Sequence, residues 1–484
     1  MKSKELLHEL IHSLTKSEKR YFSVFTSIHK ESNNYVKLFN AIHDQKEYDE
    51  EALLKQFRNE DFIRQFSVAK NYLMNLVLKS LSNHHQKAKK TIELNSFLTE
   101  IEVLYWKGLY KLCHKKINQA KKIAKKYDMT HYLLLINYWD RRIEDYVSSA
   151  MINEDVVKET QVYLDDYNQQ MQMNFLIKKL QTVTRSTIKS TDQTAQPIQE
   201  IFKHELMQLD EDDFDNFFTK VDYLFLKGVG FGLLADQNNE FKYKMRLLEL
   251  LEENPHQIKE NPLRYSSALN NILLYYYFQG YPKEYPEYLS KLNDVELKFH
   301  HAKASFYDTK YNLEIGYYLH LRDAEKIRIT LDEMEKWYVS LSSAKGIQAK
   351  MICEYNMALA YFYLNDTKKC LKWCNSSFAL FDMKAKRFRH DLAVSTLMIQ
   401  LFIYGDLNHF DLALRCMEMI FSIARKNNYG KAEMLIFKTI KEMIRAEKLS
   451  PGINKVRELI NNEGIAFINL DKDVVVYWIE KNKI

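Results

Sequence analysis

The sequence predicts an all-α protein in which pairs of helices stack along the second half of the chain. Its 484 residues include only 11 Gly and 6 Pro. These are about 2% and 1% of the chain, against roughly 7% and 5% in average proteins, so turn residues are too few for a sheet-based fold. Amphipathic helical patterns also recur every 42 or 43 residues. Both observations favour long helices joined by short connections.

The recurring pattern is clearest around four tyrosines. Tyr276, Tyr318, Tyr361 and Tyr404 are separated by 42, 43 and 43 residues. A polar or glycine turn follows each one, and a second helical pattern begins nine positions after the tyrosine, at Tyr285, Ile327, Cys370 and Ala413. Mostly apolar residues continue this second pattern at helical spacing. Each unit is therefore predicted to be two antiparallel amphipathic helices.

One run of the chain resembles a known repeat. Residues Ala358 to Cys374, ALAYFYLNDTKKCLKWC, keep the order of small residue, tyrosine, turn, small residue and bulky residue that is typical of the tetratricopeptide repeat. The resemblance implies a right-handed α-solenoid of helical hairpins, with five units over roughly 221–426. Its period of 42–43 residues exceeds the family's 34, so unusually long helices are expected. The first unit is placed on Phe231, Leu234, Asn238, Tyr243, Leu247 and Leu250.

The remaining segments divide the chain further. Thr15 and Glu18 form a predicted capping box near the N-terminus. A Thr-, Ser- and Gln-rich segment containing Pro197 is typical of a linker. The predicted divisions are an N-terminal helical subdomain, repeat-like hairpins, a linker or loop, the repeats, and a degenerate repeat with a C-terminal cap, at 1–90, 91–180, 181–200, 201–427 and 428–484 respectively.

Two N-terminal blocks, Leu14 to Phe22 (LTKSEKRYF) and Val68 to Leu81 (VAKNYLMNLVLKSL), are similar to blocks in a little-characterised group of bacterial helical-repeat proteins. That resemblance implies one continuous architecture and no particular activity. A helix-turn-helix over 34–81, with 65–81 as its recognition helix, is an alternative. Apolar residues surround that helix on nearly all sides, which predicts burial instead of contact with a DNA groove.

Glycines and cysteines in the repeats resemble parts of known functional sites, but their context favours structural roles. Gly228, Gly230 and Gly232 lack the preceding strand that a phosphate-binding loop requires, so close packing of helices is expected. Cys370 and Cys374 occupy repeat positions that are apolar in other units, which favours core packing over zinc ligation.

Titratable pairs give no catalytic pattern either. His84 and His85 are adjacent on a helix, where side chains point to different faces and cannot easily share a metal. Glu252 and Glu253 have no nucleophile or base placed beside them by a recognised pattern. We therefore expect no catalytic residue, no metal ligand and no cofactor.

Composition indicates a folded, non-membrane protein. Hydrophobic residues make up 46% and charged residues 28% of the chain. No apolar run approaches the ~20 residues needed to span a bilayer, and the charged N-terminus is unlike a secretory signal. Five scattered cysteines do not form a disulfide framework, so a cytoplasmic location without membrane insertion is expected.

Positive charge is concentrated before residue 127. Between Lys79 and Lys126 there are 12 Lys and 3 acids, a balance of 12 − 3 = +9, while the whole chain has 70 − 64 = +6. Such a region could contact nucleic-acid phosphates, although lysine without exposed aromatic neighbours reads bases poorly, and an ordinary solvated face remains the alternative. The lysines that share one helical face are Lys111, Lys115, Lys122 and Lys126.

The leading functional hypothesis is a non-enzymatic scaffold that binds a peptide or protein on the concave surface formed by the first helix of each repeat. One alternative is that these residues only pack between long helices. Another is a nucleic-acid-associated regulator with basic N-terminal helices and repeats that sense or dimerise. The partner and the oligomeric state are not indicated. By resemblance, the residues of the concave surface are Asn270, Leu274, Tyr277, Asn312, Leu319, Tyr355, Leu359, Phe362, Tyr363, Met398 and Phe402.

Overall fold

A computed structural model describes residues 6–27, 33–147, 154–184, 192–297, 300–341, 346–381, 389–427, 429–447, 450–461 and 472–481. Over these residues the regular structure is helical and no strand is present, which confirms the predicted all-α class. The chain divides into two compact units, Met1–Asp165 and Asp166–Ile484.

The first unit contains two small hydrophobic cores. One is formed by the first five helices and the other by the helices that follow. The helices are α1 (Leu6–Ser13), α2 (Lys16–Ser27), α3 (Asn33–Asp44), α4 (Glu50–Gln56), α5 (Phe66–His84), α6 (Lys90–Trp106), α7 (Tyr110–Lys126), α8 (Thr130–Val147) and the first part of α9 (Glu154–Thr184).

The start of α2 has the predicted capping box. The backbone N–H of Thr15 donates to Oε2 of Glu18 at 2.6 Å, and the N–H of Glu18 donates to Oγ1 of Thr15 at 3.3 Å. Two backbone donors that the first turn leaves without helical partners are thereby satisfied.

Helix α5 is buried on one side only. Helices α1, α2 and α3 pack against the side that carries Leu73 and Val77, whereas Val68, Tyr72 and Leu78 are exposed. The expectation of burial on all sides is therefore wrong for this helix. An apolar pattern shows which faces could be buried, but it does not show how many neighbouring helices are present to cover them.

The second unit continues from α9 as a series of helices connected by short turns. They are α10 (Asp192–Phe202), α11 (Phe217–Leu233), α12 (Gln237–Glu252), α13 (Pro255–Glu260), α14 (Pro262–Phe278), α15 (Tyr285–Asn293), α16 (His300–Leu321), α17 (Ala324–Leu341), α18 (Ile347–Tyr363), α19 (Thr367–Leu380), α20 (His390–Asp406), α21 (Phe410–Lys426), α22 (Lys431–Arg445), α23 (Ser450–Asn461) and α24 (Lys472–Lys481).

The segment 181–200, expected to be a linker or loop, is helical wherever it is described. Helix α9 continues to Thr184, and α10 contains Pro197; residues 185–191 lie outside the described residues. Proline inside a helix costs about 3 kcal/mol. Burial of Ile198 and Ile201 in the core of this unit offsets that cost, since each buried side chain contributes about 1.5–3 kcal/mol.

The four periodic tyrosines occupy equivalent places in the backbone. The residue four positions after each one has a left-handed conformation, with φ of 82°, 58°, 58° and 59° at Gly280, Arg322, Asn365 and Asn408. Each tyrosine carbonyl accepts the N–H of the residue five positions on, at 2.9, 3.1, 3.0 and 2.8 Å for Tyr281, Asp323, Asp366 and His409. This is the bond that closes a Schellman motif, so every first helix ends in the same way.

The second helices are equivalent as well. All four residues nine positions after the tyrosines are fully buried. Within each unit the two helices pack together, as in α16 with α17 and α18 with α19. The first helices also contact one another in order, α14 with α16, α16 with α18, and α18 with α20. They are 17, 22, 17 and 17 residues long, above the mean of about 11–12 residues in globular proteins.

The first repeat unit has the same turn, but its predicted frame is displaced by three residues. The N–H of Asp236 donates to the carbonyl of Phe231 at 3.0 Å, and Ala235 is left-handed with φ 60°. Phe231, and not Leu234, is therefore the equivalent of the tyrosines. Leu234 and Tyr243 are also apolar and nine residues apart, but they do not occupy the equivalent backbone positions. Counted from Phe231, Gly228 lies three residues earlier, and Glu240 and Lys244 lie nine and thirteen residues later. In the other units these positions carry mostly small or apolar core residues.

Glycines in α11 make room for an ion pair at these core positions. A Cβ on Gly228 would lie 3.1 Å from Cγ of Lys244, and one on Gly232 would lie 2.7 Å from Oε1 of Glu240. Lys244 and Glu240 form an ion pair one helical turn apart. Since all three glycines lie within a helix, the prediction of close packing in place of a phosphate loop is confirmed.

The hairpin of α6 and α7 in the first unit shares this geometry. The N–H of Leu109 donates to the carbonyl of Leu104 at 3.0 Å, and Gly108 is left-handed with φ 68°. Sγ of Cys113, nine positions after Leu104, donates to the carbonyl of Ile101 at 3.5 Å. Cys370 makes the equivalent bond to the carbonyl of Ala358, at 3.2 Å.

Candidate functional site

The predicted concave surface is open at one repeat and closed at others. Leu274 and Tyr277 on α14 are 36% and 37% exposed. Asn270, Asn312 and Tyr363 are half-buried. The remaining members are buried, namely Leu319, Tyr355, Leu359, Phe362, Met398 and Phe402.

Three repeat positions explain the difference between open and closed parts. They lie two residues before, one residue after and two residues after the periodic tyrosine. On α14 they are Leu274, Tyr277 and Phe278, the last of which is 54% exposed. On α18 they are Leu359, Phe362 and Tyr363, and on α20 they are Phe402, Gly405 and Asp406. We call these positions the repeat face.

The C-terminal helix α24 lies on the repeat face of α20. The indole ring of Trp478 stacks on the ring of Phe402, with 4.3 Å between centroids and 8° between planes. Its Nε1–H donates to Oδ1 of Asp406 at 3.1 Å. Nζ of Lys481 donates to Oδ2 of the same carboxylate at 3.0 Å. Asp406 thus fixes both an aromatic and a cationic side chain of α24.

Two further residues hold α24 from the preceding repeats. The guanidinium of Arg322, in the turn after α16, lies 4.1 Å from the centre of the Tyr477 ring and pairs with Glu480 at 2.6 Å. The ring of Tyr363 on α18 contacts the Tyr477 ring, with centroids 5.6 Å apart. The hydroxyl of Tyr363 donates to the carbonyl of Arg322 at 3.2 Å, which links the two supports.

The position of α24 on this face was not predicted. The sequence predicts a cap at the end of the stack, whereas α24 touches residues from three successive repeats. The signal in the sequence was a short terminal segment with two adjacent aromatic residues, Tyr477 and Trp478, and a charged end. On an isolated helix such a pair would be exposed, so it requires another surface to cover it. Sequence periodicity does not identify that surface, since α24 lies outside the repeats.

The amide group of Asn312, on the predicted surface, is engaged within the protein. Oδ1 of Asn312 accepts a hydrogen bond from Nδ2 of Asn356 at 2.8 Å, and Nδ2 of Asn312 lies 3.7 Å from Sγ of Cys353. That thiol donates to Oδ1 of Asp308 at 3.0 Å. Asn312 therefore joins α16 to α18 in this structure.

Aromatic rings continue from α24 towards the open repeat. Tyr281 contacts Tyr277, Tyr285 and Tyr317, at centroid distances of 5.5, 4.8 and 5.6 Å. Burial raises the pKa of Tyr281, and the negative charge of Asp473 on α24 adds to this effect. The Tyr281 hydroxyl therefore remains protonated at neutral pH and can donate a hydrogen bond.

The four predicted basic residues, Lys111, Lys115, Lys122 and Lys126, are all exposed on α7. The other lysines of this helix form ion pairs with acids of other helices, such as Lys116 with Glu100 at 2.6 Å and Lys125 with Glu159 at 2.6 Å. Contact of the exposed four with nucleic acid stays a prediction.

Glu18, His84 and His85 form the one group of His, Cys, Asp or Glu side chains, among described residues, that could hold a metal ion. Their ligand atoms lie within 4.8 Å of one another. Nδ1 of His84 is 3.4 Å from Nε2 of His85, so the two rings converge despite being adjacent. Nε2 of His85 also lies 2.6 Å from Oε1 of Glu18. Because Oε2 of Glu18 caps α2, this carboxylate already has a structural role.

The cysteines of the repeats are core residues, as predicted. Cys370 and Cys374 are fully buried, and all five cysteines of the chain are free. Burial raises the pKa of the Cys374 thiol well above its ordinary value, and the neighbouring Cys370 adds to this effect. The Cys374 thiol is therefore protonated and poorly nucleophilic at neutral pH.

Within the described ranges, no helix has the length and apolar composition needed to cross a membrane. Comparison of the chain with protein-family models, with curated proteins and with solved structures gave no match.

Proposed function

We propose that this protein is a non-enzymatic scaffold that binds a peptide or protein on the repeat face of a tetratricopeptide-like solenoid. Identical turns at 42–43-residue spacing and the ordered contacts between first helices support the solenoid. In a stack of this kind, each unit contacts mainly its neighbours, and equivalent side chains form a continuous surface. Five buried, free cysteines support a cytoplasmic location.

The observation that carries the proposal is the contrast between equivalent positions. On α18 and α20 the repeat face binds a helix, because Tyr363 and Phe402 contact rings of α24. On α14 the same positions carry large apolar side chains, Leu274, Tyr277 and Phe278, that are exposed. A contiguous exposed apolar group is typical of a binding surface, and aromatic side chains are the usual anchors of protein interfaces.

Site-specific photo-crosslinking in living cells tests this function. A photoreactive phenylalanine analogue in place of Phe278 should form a discrete crosslinked product, which mass spectrometry would identify. Leu274→Ala with Tyr277→Ala should reduce its yield at least tenfold, because loss of about 1.4 kcal/mol of binding energy weakens affinity tenfold. Tyr355 and Phe362 of the predicted surface are unsuitable for such changes, since both are buried.

The chain offers a matched control on the second helix of the next repeat. Ile329 and Val339 on α17 are also large, apolar and exposed, but they lie outside the repeat face. Ile329→Ala with Val339→Ala should leave the crosslink at position 278 unchanged. The proposal fails if the α14 changes preserve the product, or if the α17 changes remove it equally.

A further inference from the structure

Helix α24 has the composition of a peptide that lies in a groove. Its sequence is KDVVVYWIEK. Val474 and Trp478, and likewise Val475 and Ile479, are one turn apart and buried. Helices recognised by grooves present anchors at this spacing along one face. The charged Glu480 stands beside these anchors at the exposed end of the helix.

The surface beneath α24 is assembled from residues far apart in the sequence. We define the seat as Arg322, Tyr363, Phe402 and Asp406, which come from three repeats. These four residues supply a ring stack, an indole hydrogen bond, a cation over an aromatic ring and two ion pairs. Each interaction is made with a different group of α24, namely an aromatic ring, the indole N–H or a charged side chain. A set of complementary contacts of this kind gives a binding site its specificity.

Aromatic and charged contacts have different roles in the seat. Tyr477 and Trp478 are buried and are the largest of the buried side chains of α24. The pairs Glu480 with Arg322 and Lys481 with Asp406 are partly exposed, so each pair adds little net energy. Like charges placed at the same positions would repel each other, which costs far more than the loss of a pair. The two pairs fix the direction of the helix, because reversing it would place each charge away from its partner.

We infer that α24 is a ligand built into the chain, and that its seat binds an amphipathic helix of the same chemistry from a partner protein. Such a helix carries an adjacent Tyr–Trp pair, with an acid three positions and a base four positions after the tyrosine. This inference rests on the proposed function and specifies its partner. Asp473, near the N-terminal end of α24, lies close enough to Tyr281 to influence it, and the ring of Tyr281 contacts Tyr277 of α14. A partner helix that replaced α24 and extended beyond this end would therefore cover the exposed residues of α14 as well.

Reversing the charges at the end of α24 tests this inference in the full-length chain. Glu480→Arg with Lys481→Glu should weaken α24 in its own seat without altering the seat. A fluorescent peptide of residues 470–484, with the unchanged sequence, should then bind at least tenfold more tightly than it binds the unchanged protein. The same peptide with Trp478→Ala should lose at least tenfold in affinity. Equal binding to both proteins would overturn the inference.

A second protein variant reverses the seat instead. Arg322→Glu with Asp406→Lys should bind the peptide with reversed charges, Glu480→Arg and Lys481→Glu, in preference to the unchanged peptide. Exchange of preference between two matched peptides is a result that loss of folding does not produce. Identical affinities for the two peptides would show that these contacts do not select the helix.

Hydrogen exchange separates a seated ligand from a part of the core. In the protein with Glu480→Arg and Lys481→Glu, amide exchange in α24 should accelerate while α18 and α20 keep their protection. If α18 and α20 lose protection together with α24, the helix is an inseparable part of the fold and the inference is wrong. The crosslink at position 278 is an independent measurement. If that crosslink persists when α18 and α20 lose protection, the inference about α24 fails but the proposed scaffold function does not.

Discussion

Backbone conformation at single residues sets the turns of this protein. A left-handed residue with a Cβ costs about 1–2 kcal/mol relative to glycine. Asparagine reduces this cost because its side chain bonds locally, as at Asn365 and Asn408. Ala235 has φ 60° and no such side chain. The first repeat therefore carries strain that Gly280, Asn365 and Asn408 reduce at the equivalent turns, whereas Arg322 carries strain of the same kind.

We predict that Ala235→Gly stabilises the second unit by about 1 kcal/mol, because glycine adopts this conformation without strain. Ala235→Val should destabilise it by more than about 1 kcal/mol, since a β-branched residue is least tolerant of positive φ. Amide exchange of α11 and α12 in increasing urea measures both. Equal stability of the three proteins would contradict the role given to this residue.

Glu18 makes the first unit sensitive to acid. Burial acts to raise its pKa, but bonds from Thr15 and His85 outweigh this effect, and the pKa lies below its ordinary value of 4.5. A carboxyl whose folded pKa is lowered stabilises the fold above the unfolded pKa. That stabilisation is lost as the pH falls through the folded pKa.

We therefore predict that Glu18→Gln lowers the stability of α2 and α5 at pH 7, and that the difference from the unchanged protein is lost as the pH falls from the ordinary value of 4.5 through the lower pKa of the folded protein. Amide exchange in these helices across the pH range, compared with intrinsic rates, measures the effect. Glu51→Gln, at an exposed carboxyl on α4, is the control and should change little. A difference that stays the same as the pH falls below 4.5 would contradict the assignment.

At the scale of elements, glycines decide how closely helices approach. Helix α10 packs against α11 at Gly230, where a Cβ would lie 2.5 Å from Cζ of Phe202 and 3.4 Å from Cγ2 of Ile198. No Cβ fits at the shorter distance, so one helix must move. This contact also explains how α10 forms in a segment that contains a proline.

We predict that Gly230→Ala destabilises the packing of α10 on α11 by about 1–3 kcal/mol, the usual cost of overpacking. Adding Phe202→Leu should recover part of the loss, because the clash involves the far end of that ring. Gly346→Ala provides the control, since nothing lies within 4 Å of a Cβ there. Thermal unfolding of the three variants measures the differences, and similar midpoints for Gly230→Ala and Gly346→Ala would contradict the prediction.

At the scale of the whole molecule, local periodicity was predictable and long-range contact was not. The offset of nine residues correctly located the core positions of four units, because every unit ends its first helix with the same turn. The same offset misplaced the first unit by three residues. The equivalent of the tyrosines there is Phe231, and a glycine and an ion pair occupy the core positions where small and apolar residues were expected. The repeat face could be proposed from the sequence, but its covering by α24 depends on contacts such as Arg322 with Glu480, 158 residues apart. No spacing rule encodes that pairing.

The recurring left-handed turn residue has a consequence for how such a chain can change in length. Arg322, Asn365 and Asn408 have φ values within one degree of each other. A genetic crossover between any two of them joins backbone of one conformation to backbone of the same conformation. Recombination at these points would add or delete whole hairpins without requiring a new linker. The number of hairpins could therefore change during evolution while the backbone conformation of each turn stays the same.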